Sequence, residues 1–355
     1  MEAADTSMLW EVNMATATQI HPVQLQYSHT IGRAEFSGPG FRVPVGIARG
    51  EGERLYVLSR AYENRPDGKR VTICTVGEEY ISEFGRGVAA EQTEADAPDG
   101  RFFWPTAIAL DKAGNVYVSD EWYNRISIFT KDGDWVGKWG IPGAGDGELN
   151  RPSGIAFDKG DHLYVVDSLN NRVQQFTKDG KFIRKWGTAG SGDGQFNMPW
   201  GIALDTEGDV YVTDWRNDRV QKFTAEGRFL MQFGTSGSGD GEFNRPTGIA
   251  VDAAGVIYVA DTRNDRLQVF DAEGTFVTKL LGEATVSKWG QEKLNASPEM
   301  WVQRQKAQGM EREKRFWGPA AVTTDDDNRI FVSESVRSRI QVYRKQIPMF
   351  IGDRL

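Results

Sequence analysis

The segment RPSGIAFDKGDHLYVVDSLNNRVQQF, residues 151–176, recurs almost without gaps along the chain. The other copies are WPTAIALDKAGNVYVSDEWYNRISIF at 104–129, MPWGIALDTEGDVYVTDWRNDRVQKF at 198–223 and RPTGIAVDAAGVIYVADTRNDRLQVF at 245–270. Their prolines stand at positions 105, 152, 199 and 246, always 47 residues apart. A constant period of this length indicates one supersecondary unit per repeat.

Two weaker copies flank these four repeats, which brings the number of units to six. The first begins at Pro44 with PVGIA and RLYVLS, and the last begins at Pro319 with PAAV, RIFVSE and SRIQVY. Within one unit the pattern predicts four short strands separated by Gly, Asp and Asn turns, at residues 154–157, 163–166, 172–176 and 182–186. Because so short a sheet cannot bury both faces alone, the sequence predicts an all-β, six-bladed β-propeller of four-stranded antiparallel blades.

The ends of the repeat block define the predicted domains. Residues 24–345 are predicted to form the propeller, with an N-terminal arm at 1–23 and a C-terminal tail at 346–355. The stretch from Leu25 to Ile31 resembles the outer-strand segment of the other repeats. We therefore expect it to supply the outer strand of the last blade and to close the ring.

A short, partly helical insertion is predicted at about 283–316, between blades five and six. Ser297-Pro298-Glu299 combines a capping hydroxyl, a proline in the first turn and an early acid. The highly charged segment that follows is open to three interpretations: a lid over the channel mouth, a docking surface for another chain, or a solvated excursion.

The pattern P-x-G-I-A-x-D, Y-V-x-D, N-x-R-[IV]-Q-x-F and G-x-G-D-G-x-F-N resembles the NHL repeat family over residues 24–345. The resemblance implies a propeller like those of the tripartite-motif ubiquitin ligases, which bind RNA or protein, and of the lyase that completes peptide α-amidation. It is also close in architecture to gluconolactonase and strictosidine-synthase-like enzymes. Since one fold serves many functions, the resemblance leaves the function open.

Composition narrows the partners and the compartment. A net charge of −8 argues against attraction of the whole molecule to nucleic acid or to an anionic membrane. A single cysteine, Cys74, forms no internal disulfide, which favours a reducing compartment. The first 20 residues lack the features of a secretory signal, and no 18 apolar residues run together. We therefore predict a soluble, cytoplasmic protein.

Acid–arginine pairs recur at constant spacing: Asp120/Arg125, Asp167/Arg172, Asp214/Arg219, Asp261/Arg266 and Glu334/Arg339. A residue repeated in every blade serves the blade, so we predict that each carboxylate caps a turn and binds its arginine. Blade one departs from the pattern with Ser59 and Arg70. The glycine loops at 143–147, 190–194 and 237–241 are predicted to be turns, because each offers one carboxylate and precedes no helix.

The irregular segments all belong to loops that, in a propeller, surround one mouth of the axial channel. They are the loop from Ser59 to Arg70 and the passages at residues 86–103 and 283–316. One face is therefore predicted to be elaborated and to carry the binding site.

The positions that vary between repeats on this face are aromatic and cationic. The candidate ligand-binding residues are Trp104, Trp122, Tyr123, Arg151, Trp200, Trp215, Arg216, Arg245, Arg263, Trp317 and Arg337. Arginine and tryptophan together favour an anionic or aromatic ligand through bidentate hydrogen bonds, stacking and cation–π contact. Tryptophans that wedge between blades and arginines that pair with loop acids are the structural alternative.

Catalytic chemistry has few candidates in this sequence. The zinc of the amidating lyase is held by several histidines, whereas this chain has only His21, His29 and His162, two in the N-terminal region and one in a turn. A histidine or cysteine zinc centre is thereby excluded. Asp325-Asp326-Asp327 is interpreted as a solvated turn. We assign no catalytic residue, metal site or cofactor, and leave a divalent cation such as calcium open.

Three functions follow from these observations. The first is a binding module whose elaborated face takes an anionic small molecule, a peptide or a protein. The second is a lyase or hydrolase that uses an oxygen-ligated divalent metal or none. The third is binding of single-stranded RNA, against which the acidic composition counts.

Overall fold

The computed structural model describes residues 23–62, 65–88 and 98–346 of the chain. Within them, six four-stranded antiparallel sheets follow one another. The inner strands of successive sheets contact each other, and the inner strand of the last sheet contacts that of the first. The six-bladed propeller that the repeat period predicts is thus confirmed. No helix of the described ranges is long and apolar enough to cross a membrane.

The first five blades run from the inner to the outer strand in chain order. Blade one contains β2 (Pro44–Arg49), β3 (Arg54–Ser59), β4 (Arg70–Thr75) and β5 (Tyr80–Phe84). Blade two contains β6 (Pro105–Leu110), β7 (Val116–Asp120), β8 (Arg125–Phe129) and β9 (Trp135–Trp139). Blade three contains β12 (Pro152–Phe157), β13 (His162–Asp167), β14 (Arg172–Thr177) and β15 (Phe182–Trp186).

Blades four and five repeat this order. Blade four contains β18 (Pro199–Leu204), β19 (Val210–Asp214), β20 (Arg219–Phe223) and β21 (Phe229–Phe233). Blade five contains β24 (Pro246–Val251), β25 (Ile257–Asp261), β26 (Arg266–Phe270) and β27 (Phe276–Leu280). Short parallel pairs link blades two to five: β10 (Ile141–Pro142) with β11 (Glu148–Leu149), β16 (Thr188–Ala189) with β17 (Gln195–Phe196), and β22 (Thr235–Ser236) with β23 (Glu242–Phe243).

Blade six closes the ring with a strand from the beginning of the chain. It contains β28 (Pro319–Thr324), β29 (Arg329–Glu334), β30 (Arg339–Gln346) and β1 (Gln24–Ile31). Strand β1 pairs antiparallel with β30, so that Leu25 lies opposite Lys345 and Ile31 opposite Ile340. The predicted closing strand is confirmed. Its pairing covers the edge of β30, which would otherwise be open.

The inner strands approach each other at backbone distance, which explains their glycines. A Cβ atom on Gly201 would lie 2.1 Å from the carbonyl oxygen of Thr247 in the next blade, and one on Gly154 would lie 2.6 Å from that of Trp200. Hydroxyl groups bridge the same boundaries, as when Thr213 Oγ1 donates to the Thr247 carbonyl at 2.8 Å. The glycine of the repeat is therefore required by packing between blades.

The hydrophobic core is distributed between the blades. The second and third strands of each blade are buried almost throughout, whereas β9 and β21 have alternating exposure. Tyr211 and Val220 of blade four, for example, pack with Ile249, Val259 and Phe270 of blade five in one cluster. Each blade thus buries apolar side chains against its neighbour, as the length of the sheets requires.

The insertion between blades five and six contains three helices, α1 (Lys288–Asn295), α2 (Pro298–Lys306) and α3 (Glu311–Lys314). The hydroxyl of Ser287 accepts a hydrogen bond from the Gly290 N–H at 3.0 Å and caps α1. Helix α2 begins where Ser297-Pro298-Glu299 predicts, but the Ser297 hydroxyl does not accept the expected capping hydrogen bond from a backbone N–H. Because α2 starts on a proline, one of the backbone N–H donors that a cap could satisfy is already missing. The helix is also short.

Helix α1 is anchored to blade one. Trp289 is buried with its ring edge-on to Phe41, at a centroid distance of 5.9 Å. The buried carboxylate of Glu78 accepts hydrogen bonds from the N–H groups of Trp289 at 3.2 Å and Gly32 at 2.6 Å. Burial raises the pKa of this carboxyl above its ordinary value. This part of the insertion is therefore packed and is not a solvated excursion.

Candidate functional site

The repeated acid–arginine pairs are structural, as predicted, in four of five blades. Asp167 Oδ2 accepts from Arg172 Nε at 2.7 Å and from Asn170 at 2.8 Å, while Oδ1 accepts from the Asn150 N–H at 2.6 Å. The same pairing recurs between Asp214 and Arg219, Asp261 and Arg266, and Glu334 and Arg339. Burial raises the pKa of these carboxyls, and the guanidinium and N–H donors act in the opposite direction.

The glycine loops close around these arginines. Arg172 donates to the carbonyl oxygens of Ala144 at 2.9 Å, Gly145 at 2.7 Å and Glu148 at 2.8 Å. The loop therefore directs its carbonyl groups at a cation that the protein itself supplies. The interpretation of these loops as turns is confirmed.

Blade two departs from the predicted pairing. No described ion pair or hydrogen bond joins Asp120 to Arg125; Asp120 instead accepts from four backbone N–H groups, those of Phe103, Trp104, Trp122 and Tyr123. The predicted pair is therefore wrong in this blade. Arg125 turns away, donates to the Arg101 carbonyl at 2.7 Å and lies 4.6 Å from the centre of the Tyr123 ring. The long passage before blade two supplies these alternative partners.

Blade one replaces the acid of the pair with one from its outer strand. The buried Arg70 donates to the carbonyl oxygens of Gly38 at 3.1 Å and Gly40 at 2.9 Å, and forms an ion pair with Glu83 at 3.1 Å. Ser59, at the acid's position, accepts from the Arg42 N–H. Arg70 thus binds loop carbonyl groups and one carboxylate as the other arginines do, although its acidic partner lies in a different strand.

The predicted aromatic and cationic residues form three groups, and the two tryptophans of the first group line a pocket at the channel mouth. This mouth pocket has a volume of about 240 Å³ and is lined by Val43, Val45, Trp200, Trp215, Thr247, Ala320 and Ser335. The Trp200 and Trp215 rings lie 6.5 Å apart with their planes at 37°. The Arg245 guanidinium carbon lies 4.7 Å from the Trp215 ring centre, and that of Arg216 lies 5.9 Å from it.

Unusual backbone conformation positions two of these arginines. Arg245 has φ of 58° and Arg151 has φ of 54°, in the left-handed region that non-glycine residues rarely adopt. A side chain from the preceding blade accepts the N–H of each: Asp218 for Arg245 and Asn124 for Arg151, both at 2.7 Å. The following proline disfavours the right-handed helical conformation at the same positions. Backbone strain of this kind is not visible in the sequence.

The second group lies on blade two. The Trp104 and Trp122 rings lie 5.3 Å apart, and the guanidinium carbons of Arg151 and Arg60 lie 6.0 Å and 5.3 Å from the Trp104 ring centre. Arg60 also forms an ion pair with Glu121. Sequence reasoning missed Arg60, although this residue lies in the loop from Ser59 to Arg70, which is one of the irregular segments predicted to surround the channel mouth.

Tyr123 does not contribute to this surface. Its side chain is only 5% exposed and packs under Phe103, with ring centres 6.0 Å apart. Its assignment as a ligand-contacting residue is therefore corrected to a supporting one.

The third group lines a different cavity. A side groove of about 340 Å³ lies between the insertion and blade six, with Thr30, Arg33, Met300, Trp317, Val336 and Arg337 among its walls. The Arg337 guanidinium carbon lies 5.3 Å from the Trp317 ring centre. Arg263 is exposed, and its side chain forms no ion pair, cation–π contact or hydrogen bond with the other candidates among the described residues. The predicted residues thus do not form one continuous ring.

The arginines at the mouth differ in whether their guanidinium groups form ion pairs. Within the described ranges, Arg60, Arg304 and Arg339 have carboxylate partners on this side of the molecule. None of the described ion pairs involves the five predicted arginines, Arg151, Arg216, Arg245, Arg263 and Arg337. The structural alternative of arginines that pair with loop acids therefore does not hold for them.

The axial channel itself is lined mostly by residues with small or apolar side chains. A cavity of about 340 Å³ is bounded by the six inner strands, with residues such as Ala48, Ala109, Ala156 and Ala203 along it. In the part of the chain that the structure describes, no three His, Cys, Asp or Glu side chains are close enough together to hold a metal ion. The channel wall therefore offers shape and backbone groups and little titratable chemistry.

The two described histidines have local partners. His29 Nε2 lies 3.0 Å from the Val76 carbonyl oxygen, and His162 Nδ1 lies 3.1 Å from Asp158; His21 lies outside the described residues. The Asp325–Asp327 turn is confirmed, but the Asp325 side chain is only 5% exposed and accepts from Arg329 Nε at 2.7 Å, so only Asp326 and Asp327 are solvated.

The repeat model named "NHL repeat" matches residues 149–176, 196–223 and 243–270. The chain carries NHL repeats. The matched segments each run from the end of a short parallel pair to the third strand of the next blade, so they contain the glycine-loop exit, the inner strand and the acid–arginine turn. A comparison of this NHL propeller with curated protein sequences finds no significant match.

Solved structures share the fold. A protein of unknown function from Bacteroides thetaiotaomicron is 18% identical with a TM-score of 0.62, over 91% of this chain and 76% of that one. A gluconolactonase from Xanthomonas campestris is 13% identical with a TM-score of 0.57, over 91% and 90%. Catalytically inactive virginiamycin B lyase from Staphylococcus aureus, with quinupristin, is 14% identical with a TM-score of 0.53, over 92% and 100%. At these identities the likeness concerns the fold alone.

Proposed function

We propose that this NHL propeller is a binding module whose mouth pocket takes an organic anion with a planar apolar part. The observation that carries the proposal is the position of the Arg245 guanidinium: it lies over the face of Trp215, which lines the apolar cavity, and it takes part in no ion pair among the described residues. In this proposal Arg245 binds the anionic group of the ligand, and the pocket between Trp200, Trp215 and Val43 holds its planar apolar part.

Electrostatics support an anion at this position. A guanidinium that already stacks on an aromatic ring is held in place, so it loses little side-chain freedom when a carboxylate or phosphate binds it. Arg216 adds a second positive charge beside the same ring. A ligand anion would supply the counter-charge that the described residues do not.

The pocket supports a small apolar group. Its walls combine two tryptophans with Val43, Val45 and Ala320, and its polar groups are confined to the hydroxyls of Thr247 and Ser335. This composition is typical of ligand sites, which are largely apolar with a few placed polar groups. The Thr247 hydroxyl already donates to the Ala320 carbonyl, and the Ser335 hydroxyl donates to the Gly318 carbonyl at 2.9 Å, so Arg245 remains to orient a ligand.

The enzymatic alternative has less to support it. Gluconolactonase and virginiamycin B lyase share the fold, but no three Asp or Glu side chains of the described residues lie close enough together to hold a divalent metal ion. RNA binding is disfavoured by the net charge of −8. The two tryptophan pairs, Trp104 with Trp122 and Trp200 with Trp215, are the observation that favours it, because bases stack on aromatic rings.

The test is fluorescence titration with 8-anilinonaphthalene-1-sulfonate, an aromatic anion, against N-phenyl-1-naphthylamine, which has the same rings without the charge. Arg245→Ala and Trp215→Ala are each expected to weaken sulfonate binding about tenfold, since a charge-assisted or cation–π contact contributes about 1 to 2 kcal/mol. Arg228→Ala, which removes an exposed arginine from another loop of blade four, is the matched control.

Equal effects of Arg245→Ala and Arg228→Ala would contradict the proposal. So would equal affinity for the charged and uncharged compounds, because Arg245 would then contribute nothing to recognition. Salt-sensitive retention of single-stranded RNA that is abolished by Arg216→Ala and Arg263→Ala would favour the RNA function instead.

A further inference from the structure

Two residues in the wall of the side groove depart from the repeat. Arg337 follows the repeated acid by three positions, where the regular blades have an asparagine: Asn170, Asn217 and Asn264. Trp317 precedes the repeated proline by two positions, where the same blades have Asn150, Asn197 and Asn244. Because regular blades are built with asparagine at both positions, the fold of a blade does not require the arginine and the tryptophan of blade six.

The asparagine that Arg337 replaces has a structural role in the other blades. Asn170 Nδ2 donates to the Gly143 carbonyl of the glycine loop and to the Asp167 carboxylate, both at 2.8 Å. The asparagines of blades four and five form the corresponding bonds. This position therefore normally joins the acid of the turn to the glycine loop.

Arg337 forms a different set of contacts. Its Nη2 donates to the Arg312 carbonyl at 3.0 Å, in the insertion that stands in place of a glycine loop. No hydrogen bond of the described residues joins it to Glu334, and its buried Nε has no hydrogen-bond partner among them. Most of this guanidinium is therefore not used by the turn.

Trp317 keeps the backbone role of its position and adds a ring. Its N–H donates to Glu334 Oε1 at 3.0 Å, as the Asn150 N–H donates to Asp167 in blade three. The indole ring takes no part in this bond, and the residue is 52% exposed. The Arg337 guanidinium carbon lies 5.3 Å from the ring centre. The two departures from the repeat thus form one surface, a cation beside an exposed aromatic ring.

The charges of the wall favour a ligand with one negative charge. Arg337 takes part in no ion pair of the described residues, whereas the other wall cations have carboxylate partners: Arg33 and Lys293 with Glu35, Arg304 with Glu313, and Arg339 with Glu334. A carboxylate therefore finds one unpaired guanidinium, which can bind it through charge-assisted hydrogen bonds. A phosphate, with nearly two negative charges, would have to compete for cations that are already paired.

The rest of the wall is suited to an apolar group. The apolar wall residues are Val286, Leu294, Met300, Trp317 and Val336, and the volume of about 340 Å³ falls within the range of small-molecule sites. We propose that the side groove is a second ligand site, which binds a monocarboxylate with a bulky apolar group. Arg337 binds the carboxylate, and the apolar group packs on Trp317 and Val336. The side groove shares no wall residue with the mouth pocket, so this inference does not rest on the proposed function.

Titration of the isotope-labelled full-length chain with N-acetyl-leucine, followed by nuclear magnetic resonance, tests the proposal. The indole N–H signal of Trp317, assigned by its loss in Trp317→Asn, is expected to shift as ligand is added. N-acetyl-leucinamide has the same apolar group without the charge and is expected to bind about tenfold more weakly, because it loses a charge-assisted hydrogen bond. This comparison uses the wild-type chain and does not depend on the folding of a variant.

Arg337→Asn restores the residue of the regular blades, so we expect this variant to fold. It is expected to weaken the binding of N-acetyl-leucine about tenfold and to leave that of the amide nearly unchanged. Arg228→Asn removes an exposed arginine from blade four and is the matched control. Arg245→Ala is expected to leave the affinity unchanged, which distinguishes the side groove from the mouth pocket.

Isocaproate has the same isobutyl group and carboxylate without the peptide group, and it distinguishes two sources of such a ligand. Tighter binding of N-acetyl-leucine would indicate the C-terminus of a polypeptide, and equal or tighter binding of isocaproate would indicate a free organic acid. The proposal would be overturned by equal affinity for N-acetyl-leucine and its amide, by equal effects of Arg337→Asn and Arg228→Asn, or by an unperturbed Trp317 signal. Binding that depends on Arg245 and not on Arg337 would overturn it as well.

Discussion

At the scale of single residues, the repeated carboxylates do more than close a turn. Asp214 is fully buried and joins three neighbours: it accepts from Arg219 Nε at 2.9 Å, Asn217 Nδ2 at 2.7 Å and the Asn197 N–H at 2.7 Å. Arg219 in turn donates to three loop carbonyls. One ion pair therefore orders both the turn and the glycine loop that leads into the blade.

Removal of this carboxylate is expected to be costly. Asp214→Ala leaves the nearly buried guanidinium of Arg219 without a counter-ion, so we expect the free energy of unfolding to fall by about 3 to 5 kcal/mol. Asp240→Ala breaks the exposed pair with Lys279 and is expected to cost no more than about 1 kcal/mol. Urea unfolding of both variants measures the difference, and similar losses would contradict a structural role for Asp214.

The single cysteine is expected to be inert in the folded protein. Burial raises the pKa of the Cys74 thiol to about 12, and its side chain is inaccessible. Because the thiolate is the reactive form, we expect no reaction with 5,5′-dithiobis(2-nitrobenzoate) at pH 8. Denaturation in urea is expected to release one reactive thiol per chain. Rapid labelling of the native protein would be inconsistent with the packing of blade one.

At the scale of elements, the closing strand β1 determines whether the ring is continuous. It makes an antiparallel ladder with β30 that is interrupted between Tyr27 and His29. At this irregularity the His29 ring bonds to the Val76 carbonyl of blade one. Burial lowers the pKa of His29 below the ordinary 6.5, with smaller contributions from Arg329 and Arg344. The strand thus contains a group whose neutral form is favoured by folding.

This histidine makes the closure sensitive to pH. Below about pH 6.5 the unfolded chain takes up the proton more readily than the folded one, so the His29 contribution to stability is lost as the pH falls toward its lowered pKa. We expect the free energy of unfolding to decrease more between pH 7.5 and 5.5 in the wild type than in His29→Gln. Other titrating groups are common to both proteins and cancel in the comparison. Equal decreases would show that His29 does not couple protonation to unfolding.

At the scale of the whole molecule, the ring depends on close approach of the inner strands. Gly201→Ala places a Cβ against the Thr247 carbonyl, which belongs to the neighbouring blade and cannot yield without shifting that blade. We expect a loss of at least about 1 to 3 kcal/mol in the free energy of unfolding.

Gly137 in the outer strand β9 provides the matched control. A Cβ there meets nothing within 4 Å, so Gly137→Ala is expected to leave stability unchanged or to raise it by up to about 1 kcal/mol. Thermal unfolding of the two variants gives the comparison. If Gly201→Ala behaved like Gly137→Ala, close packing between blades would not be what selects glycine in the repeat.

Much of the molecule was predictable because the repeat is a local pattern. The period of 47 residues, the turn residues and the alternation of strands determined the number of blades, the closing strand from Leu25 to Ile31 and most of the acid–arginine pairs. A carboxylate five residues before its arginine spans one tight turn, so both partners are brought together by local geometry. Because the unit repeats along the chain, the pattern of one blade is enough to predict the ring.

The candidate site was decided by the tertiary structure. Only packing between blades brings Arg245 over Trp215, buries Tyr123, turns Arg125 away from Asp120 and separates Trp317 and Arg337 into a groove of their own. These contacts join residues from different blades and irregular loops, where distance in the sequence carries no information about distance in space. The repeat determines the arrangement of the blades. The residues that depart from the repeat determine, through their long-range contacts, which surfaces can bind a ligand.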